Sequence, residues 1–375
     1  MFTIYQYPGA MFQPNFTISP AAATSLMAIE ADRQAIMELP INVDVLAGLR
    51  ETARLAATHY STQIEGNRLT QAQVAEALAG AHFPGRERDE AEVRNYYRAL
   101  EHIESLAIEG GPINELELRR VHGFVMTGKR TPTPTPYRPG QNVIREAANG
   151  RVVYMPPEAP DVPELMSDLF EWINTRMAEH DLPAPLVAAL THYQYATIHP
   201  YDDGNGRTAR LLTTLVLHRA GYGLKGIYSL DEHYARNLAD YYTALTVGPS
   251  HNYYLGRAEA DLTGFLNFFC DSMAQALGSV RTRVTDVAQT PGNRHTDDTA
   301  AMRQLDPRQR RTLELFRDSA VVTSSDIATQ LGISPRTANT LIRNWNADDF
   351  LAVDDPSKKK RTYRLRPRYE RLVSP

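Results

Sequence analysis

The chain of 375 residues contains one cysteine, Cys270, and two tryptophans. A single thiol excludes any intrachain disulfide, which fits a reducing compartment. Cys270 ends the largely apolar run from Phe265 to Cys270, where a thiol reads as a small core hydrophobe and not as a nucleophile. Long hydrophobic runs are also missing. Stretches such as Leu211 to Leu217 are too short for a bilayer, and the start, Met1 to Tyr5, has no basic region leading into an apolar segment. These absences set the expectation of a cytoplasmic protein with no membrane partner. Charge of one sign is not in excess either: 40 Lys and Arg stand against 44 Asp and Glu, a net charge of −4. General coating of nucleic acid is thereby excluded, while local basic patches stay open. What the chain does have is 42% apolar residues, enough for sizeable cores, at a length that suits two or three domains.

The hydrophobic spacing is mostly helical. The first forty residues, rich in Pro, Phe and Tyr, predict an extended arm. Leu46, Leu49, Ala53 and Ala56 form one stripe of a helix beginning at Val43. Thr70 caps a helix over 71–79, and further helices are predicted over 89–109, 114–126, 163–178, 183–197, 206–219, 230–247 and 261–284. The alternating Thr and Pro of 131–136 exclude helix and central strand. Two β-prone runs, 142–145 and 151–154, flank Asn149-Gly150 and read as a hairpin. The stretch 286–305 reads as a linker. Beyond it, residues 306–375 carry 14 Lys and Arg against 9 Asp and Glu, so a separate C-terminal domain is predicted.

One loop concentrates chemistry. Between two predicted helices lie His199, Pro200, Tyr201, Asp202, Asp203, Gly204, Asn205 and Gly206, followed by Arg207. Glycines ahead of a helix leave backbone N–H groups free, and with the helix dipole they form an anion site. Arg207 and Arg210 in the first turn oppose that dipole, which a bound polyphosphate would explain. Asp203 suits Mg²⁺, which takes one or two protein oxygens beside phosphates and water. His199 can accept a proton near neutral pH. Base, metal ligand, phosphate cradle and two cationic clamps are the parts of a phosphoryl or nucleotidyl transferase.

His-Pro-Tyr-Asp-Asp-Gly-Asn-Gly-Arg-Thr-Ala-Arg, residues 199–210, resembles the signature of the Fic family, with Tyr201 where the pattern has Phe. The resemblance extends over roughly 40–275. It implies a mainly α Fic-type helical bundle with a small β-hairpin flap, in which His199 deprotonates a target hydroxyl and AMP passes from ATP to a Tyr, Thr or Ser of another protein or of the chain itself. Asp203 would hold Mg²⁺. The phosphates would lie along Gly204, Asn205, Gly206, Arg207, Thr208, Ala209 and Arg210. Gly206, where Doc-type kinases have Lys, favours AMP transfer over phosphate transfer. The 142–155 hairpin is similar to the flap on which a target segment docks, an ordinary surface hairpin being the alternative. Asn237 and Tyr241 resemble the adenine-side wall, although core tyrosines with satisfied hydroxyls would look the same. Several family members dimerise, so a homodimer is implied as well.

Ser61-Thr62-Gln63-Ile64-Glu65-Gly66 is similar to the family's inhibitory motif. Ser61 and Glu65 share a helix face, and Gly66 would end the helix. Glu65 would pair with Arg210 and take the place of the γ-phosphate; removal of AMP by the same carboxylate stays open. The organisation expected is therefore 1–100 as an N-terminal arm and helical region with the inhibitory motif at 61–66, 101–285 as catalytic core, a linker, and 306–375 as a domain. This last part resembles a winged helix-turn-helix, with Ser334-Pro335 opening its second helix. It would bind DNA through Arg336, Thr337, Asn339 and Arg343, with Lys358 to Lys360 on phosphates, or bind protein instead. A nucleotide-sensing transcription regulator is the rival reading.

Overall fold

The computed structural model describes residues 12–39, 41, 43–145, 150–289, 305–317, 319–357, 361–370 and 372–373. Residues 290–304 of the linker predicted over 286–305, the first eleven residues, the hairpin tip at 146–149 and Lys358 to Lys360 lie outside them; residues 286–289 are not linker but continue the helix that ends at Gln289. Helices dominate. In chain order they are α1 (Pro20–Glu38), α2 (Val43–Ile64), α3 (Gln71–Leu78), α4 (Glu87–Glu109), α5 (Glu115–Thr127), α6 (Val162–Glu179), α7 (Ala184–Ile198), α8 (Asn205–Leu217), α9 (Asp231–Arg236), α10 (Leu238–Leu245) and α11 (Thr263–Gln289). Among the described residues no helix is long and apolar enough to cross a membrane.

α7 sits at the centre. It is buried on every face, polar His192 and Gln194 included, and Leu186, Ala188, Ala189 and Leu190 have no accessible surface, as expected of a helix surrounded by others. α8, α6 and α11 pack around it. α4, α5 and α2 complete the bundle; Ile103, Leu118 and Val121 bury their side chains in the same core.

Two expectations are corrected. The region before residue 40 is not an extended arm throughout, because α1 occupies Pro20–Glu38. Ser19 caps it through Oγ, which accepts from Ala22 N at 3.1 Å, and Pro20 opens its first turn. The face formed by Ala22, Ile29 and Ile36 is narrow, so propensity alone marks it weakly; packing along α11 makes the helix. The single helix expected over 230–247 is broken at Asn237, whose backbone leaves helical geometry at φ −120° and ψ 43°. Asn237 Nδ2 donates to His233 O at 2.9 Å, and an Asn that competes for the carbonyl four residues back disturbs a helix there.

The hairpin is short. β1 (Ile144–Arg145) pairs antiparallel with β2 (Val152–Tyr154), Ile144 opposite Tyr154 and Arg145 opposite Val152. The C-terminal residues build a second core around Leu313, Ile327, Leu331, Ile342, Trp345, Phe350 and Leu365. Their three-stranded antiparallel sheet has the order β3-β5-β4, from Val322–Thr323, Thr362–Leu365 and Leu351–Asp355. Helices Ser324–Leu331 and Pro335–Ala347 pack together beside it. This unit rests on α2 and α4: Arg50 pairs with Glu314, and Arg308 donates to Ile108 O.

Candidate functional site

The loop from His199 to Gly204 is tied down by side chains from four other segments. α7 ends at His199, held in the left-handed region at φ 52° and ψ 61°, a conformation that is sterically disfavoured for a residue with Cβ. Buried Arg138 holds it there. Its Nε donates to His199 O at 3.0 Å, its backbone N donates to Pro200 O at 3.0 Å, and its remaining nitrogens reach Gly140 O and Pro157 O. Asn205 closes the turn, accepting from Tyr201 N at 2.9 Å and donating to Tyr201 O at 2.8 Å. Asn142, at the base of the hairpin, donates to the same carbonyl at 2.9 Å. The Tyr201 ring is buried and stacks on His122, centroids 3.6 Å apart and planes 15° from parallel. His122 Nε2 donates to Asp203 O at 2.9 Å, and burial lowers its pKa to about 4. Gly204 adopts φ 78°, and a Cβ there would lie 2.8 Å from Met126 Sδ, so glycine is required on both counts.

His199 is half-buried, with Nδ1 3.3 Å from Ala196 O. Donation from Nδ1 leaves Nε2 as the basic nitrogen. Burial lowers the pKa to about 4, opposed by the Ala196 carbonyl and Glu65, so the imidazole is neutral at pH 7. Asp202 and Asp203 are both exposed; Asp203 Oδ1 accepts from Gly204 N at 2.6 Å and from Arg207 at 3.0 Å. Arg207 is buried and also pairs with Glu92 of α4. Thr208 and Ala209 are fully buried, and Thr208 Oγ1 donates back to Gly204 O at 2.8 Å, which makes their side chains packing groups of the α8 turn.

Arg210 is enclosed by the expected brake. Nε donates to Ser61 Oγ at 2.7 Å, and NH2 donates to Ser61 O at 2.8 Å and to Glu65 Oε1 at 2.9 Å. Asp231 Oδ1 lies 3.2 Å from Nε. Burial works against the charge on this guanidinium, but Glu65, Tyr241 and Asp231 together raise its pKa above the ordinary value. Glu65 also leans over the α8 N-terminus, so a Cβ at Gly206 would run into its carboxylate. Gly66 ends the helix at φ 92°. The two arginines that oppose the α8 dipole are thus both offset by protein carboxylates. Glu92, Asp231, Arg138 and His122 are the site residues that sequence reasoning missed. They lie on distant elements with no local motif around them, and burial of a charged or polar side chain is their only signal.

The remaining candidates divide. Asn237 lies at the α9–α10 break. Tyr241 is buried, stacks on Tyr234 at 4.8 Å, and exchanges a hydrogen bond with His192 Nε2 at 2.9 Å; it is a core tyrosine with a satisfied hydroxyl. Its neighbour Tyr242 is the exposed one, at 48%, with its hydroxyl 3.4 Å from Ile64 O beside Glu65. The hairpin reaches the site through Tyr154, whose hydroxyl donates to Thr197 O at 2.9 Å, and it exposes Val152 and Met155.

Residues 112–217 match the model of the Fic/DOC family. The protein adenylyltransferase Fic of Drosophila willistoni is 29% identical over 199 residues, 52% of this chain and 38% of that protein. The protein of the same name from Drosophila melanogaster is 28% identical over 199 residues. The match therefore spans less than half the length of these curated relatives. Among solved structures, a Fic family protein from Desulfovibrio desulfuricans aligns over 95% of this chain and 99% of that chain, with a TM-score of 0.56 and 25% identity. A Fic domain containing signalling protein from Bacteroides thetaiotaomicron aligns over 72% of this chain with a TM-score of 0.60. The family match runs from just before α5 to the last residue of the arginine-bearing α8, so it is this segment that is similar to the Fic/DOC family.

Proposed function

We propose that this protein transfers AMP from ATP to a hydroxyl side chain of a target protein, and that Glu65 restrains it. The observation carrying the reading is the convergence on one turn of a neutral imidazole, the N-terminus of α8 and two arginines, one of them clasped by Glu65 and Ser61. The target hydroxyl oxygen attacks the α-phosphorus, its proton passes to His199 Nε2, and pyrophosphate leaves. A base that is neutral at pH 7 is fully available for this step. The α8 N-terminus, with Gly204 in the left-handed conformation, directs backbone N–H groups at the phosphates. Arg207 and Arg210 then exchange carboxylate partners for phosphate oxygens, a swap suited to the planar guanidinium fork.

The donor set is compatible with Mg²⁺ only when nucleotide is present. Among the described residues no three His, Cys, Asp or Glu side chains gather into a metal cluster, and the turn offers the exposed carboxylates of Asp202 and Asp203, a small oxygen set of the kind that suits Mg²⁺ bound chiefly through phosphates. Asp203 would hold it, and the ion would neutralise phosphate charge. Glu65 blocks the pose needed for in-line attack by holding Arg210 and covering Gly206.

The decisive experiment is incubation of the full chain with ATP labelled at the α-phosphate and a lysate or partner protein. Label is expected on protein and lost in His199→Ala. Transfer from γ-labelled ATP with none from the α-label would overturn the assignment in favour of a kinase.

A further inference from the structure

Nearer the N-terminal end of α2 than Ser61, which meets Arg210, the C-terminal unit and the helical bundle enclose a cavity of about 540 Å³. Four arginines line it: Arg50 and Arg54 from α2, and Arg308 and Arg311 from the helix Pro307–Leu313. The carboxylates on its wall are Glu104 and Asp306. Asp306 is committed elsewhere, accepting from Gln309 N at 2.8 Å as the cap of that helix and lying 3.4 Å from Trp345 Nε1. Glu104 is shared. It holds Arg54 through both oxygens, with Arg54 Nε at 2.9 Å, and lies 3.7 Å from Arg311, too far for a direct hydrogen bond. Arg50 pairs with Glu314, and Arg308 turns both of its donating nitrogens to Ile108 O.

We infer that this junction cavity binds a small phosphate-bearing anion through Arg311 and Arg54, with Arg308 and Arg50 at its margin. Four guanidinium groups meet Glu104 and Asp306 on the wall and Glu314 beside Arg50, so positive charge is in excess in a half-buried space, where cationic groups removed from water need anionic partners. Burial, then the neighbouring Arg54 and Arg50, keeps the Arg311 guanidinium below its ordinary range, with Glu104 acting in the opposite sense. A bound anion would supply the missing negative charge. Guanidinium forks converging from two elements match the oxygens of a phosphate, and the volume lies in the range of small-ligand sites, roughly 300–1,000 Å³. The cavity is separate from the α8 turn, so this inference stands whether or not AMP transfer does.

The test is titration calorimetry of the full chain with inorganic pyrophosphate, using adenosine as the phosphate-free control. Arg311→Gln should weaken pyrophosphate binding by at least tenfold. Glu104→Gln, which removes the competing carboxylate while keeping its shape, should tighten it by at least threefold, and this gain cannot come from misfolding. Adenosine should show no binding that depends on Arg311. No detectable pyrophosphate binding, an affinity unmoved by both substitutions, or adenosine binding that is lost in Arg311→Gln would each overturn the inference.

Discussion

The loop 199–210 and the hairpin beside it are neighbours built on opposite terms. Each turn of the loop is held by a side chain from elsewhere: Arg138 on two of its carbonyls or backbone groups, Asn142 and Asn205 on Tyr201 O, His122 on Asp203 O. The hairpin has two residues in one strand and three in the other, and its outer face leaves Val152 exposed. A loop that must present backbone donors to phosphate needs its geometry prepared in advance, since reorganisation on binding would cost rate. A hairpin edge that meets an extended segment by main-chain pairing gains its remaining hydrogen bonds only from the partner. Rigidity is therefore concentrated where the chemistry would occur, and spare donors and acceptors where a target would dock.

The sharpest way to probe the contrast is to release the loop from its brake. Glu65→Gly should raise incorporation of α-labelled AMP by about tenfold, an energy of roughly 1.4 kcal/mol, with the gain abolished by adding His199→Ala. An unchanged rate would remove Glu65 from the account. The loop's anchor is the second place to test. Arg138→Ala leaves several buried carbonyls without a donor and should cost about 3 kcal/mol, read as a lower urea midpoint at unchanged slope. The hairpin should not respond in this way: Val152→Pro is expected to cost under about 1 kcal/mol, because an edge strand tolerates a lost donor, while target labelling falls by about tenfold. Equal destabilisation by the two substitutions would erase the distinction drawn above.

The smallest effect lies in the core beneath both. His192 is fully enclosed, bonded to Thr213 Oγ1 and Tyr241 Oη, each at 2.9 Å, and burial lowers its pKa to about 3. The unfolded chain binds this proton near pH 6.5 and the folded chain does not. The stabilisation is thus complete above about pH 6.5 and is lost as pH falls toward 3, with a slope of at most about 1.4 kcal/mol per pH unit. Thermal melts from pH 7.5 to 4.5 should show His192→Gln flattening that slope; an identical slope would mean that other groups carry the acid response.

Much of this architecture could be read directly from residue order. The helices α2 to α8 follow the spacing of Leu, Ala and Val with caps at Thr70 and Asn114, because an amphipathic period and a cap are local properties. The contiguous loop was legible for the same reason: four chemical roles fall within twelve residues. Ser61 and Glu65 were legible as a pair on one helix face. Their meeting with Arg210, 145 residues away from Glu65 in the chain, was expected only through resemblance. Tyr241 illustrates the opposite case. Its spacing permitted a wall or a core position, and burial against His192 and Tyr234 decided for the core.

Sequence by itself determined the helical class, the anion-binding turn and the presence of a base, an acid and two arginines within it, since all of these depend on neighbours along the chain. Only the tertiary structure decided which carboxylates neutralise those arginines, what holds His199 in a left-handed backbone, that residues 20–38 form a helix along α11, and that four more arginines line one cavity. Such pairings depend on which surfaces meet after folding, and burial energy, not local spacing, selects them.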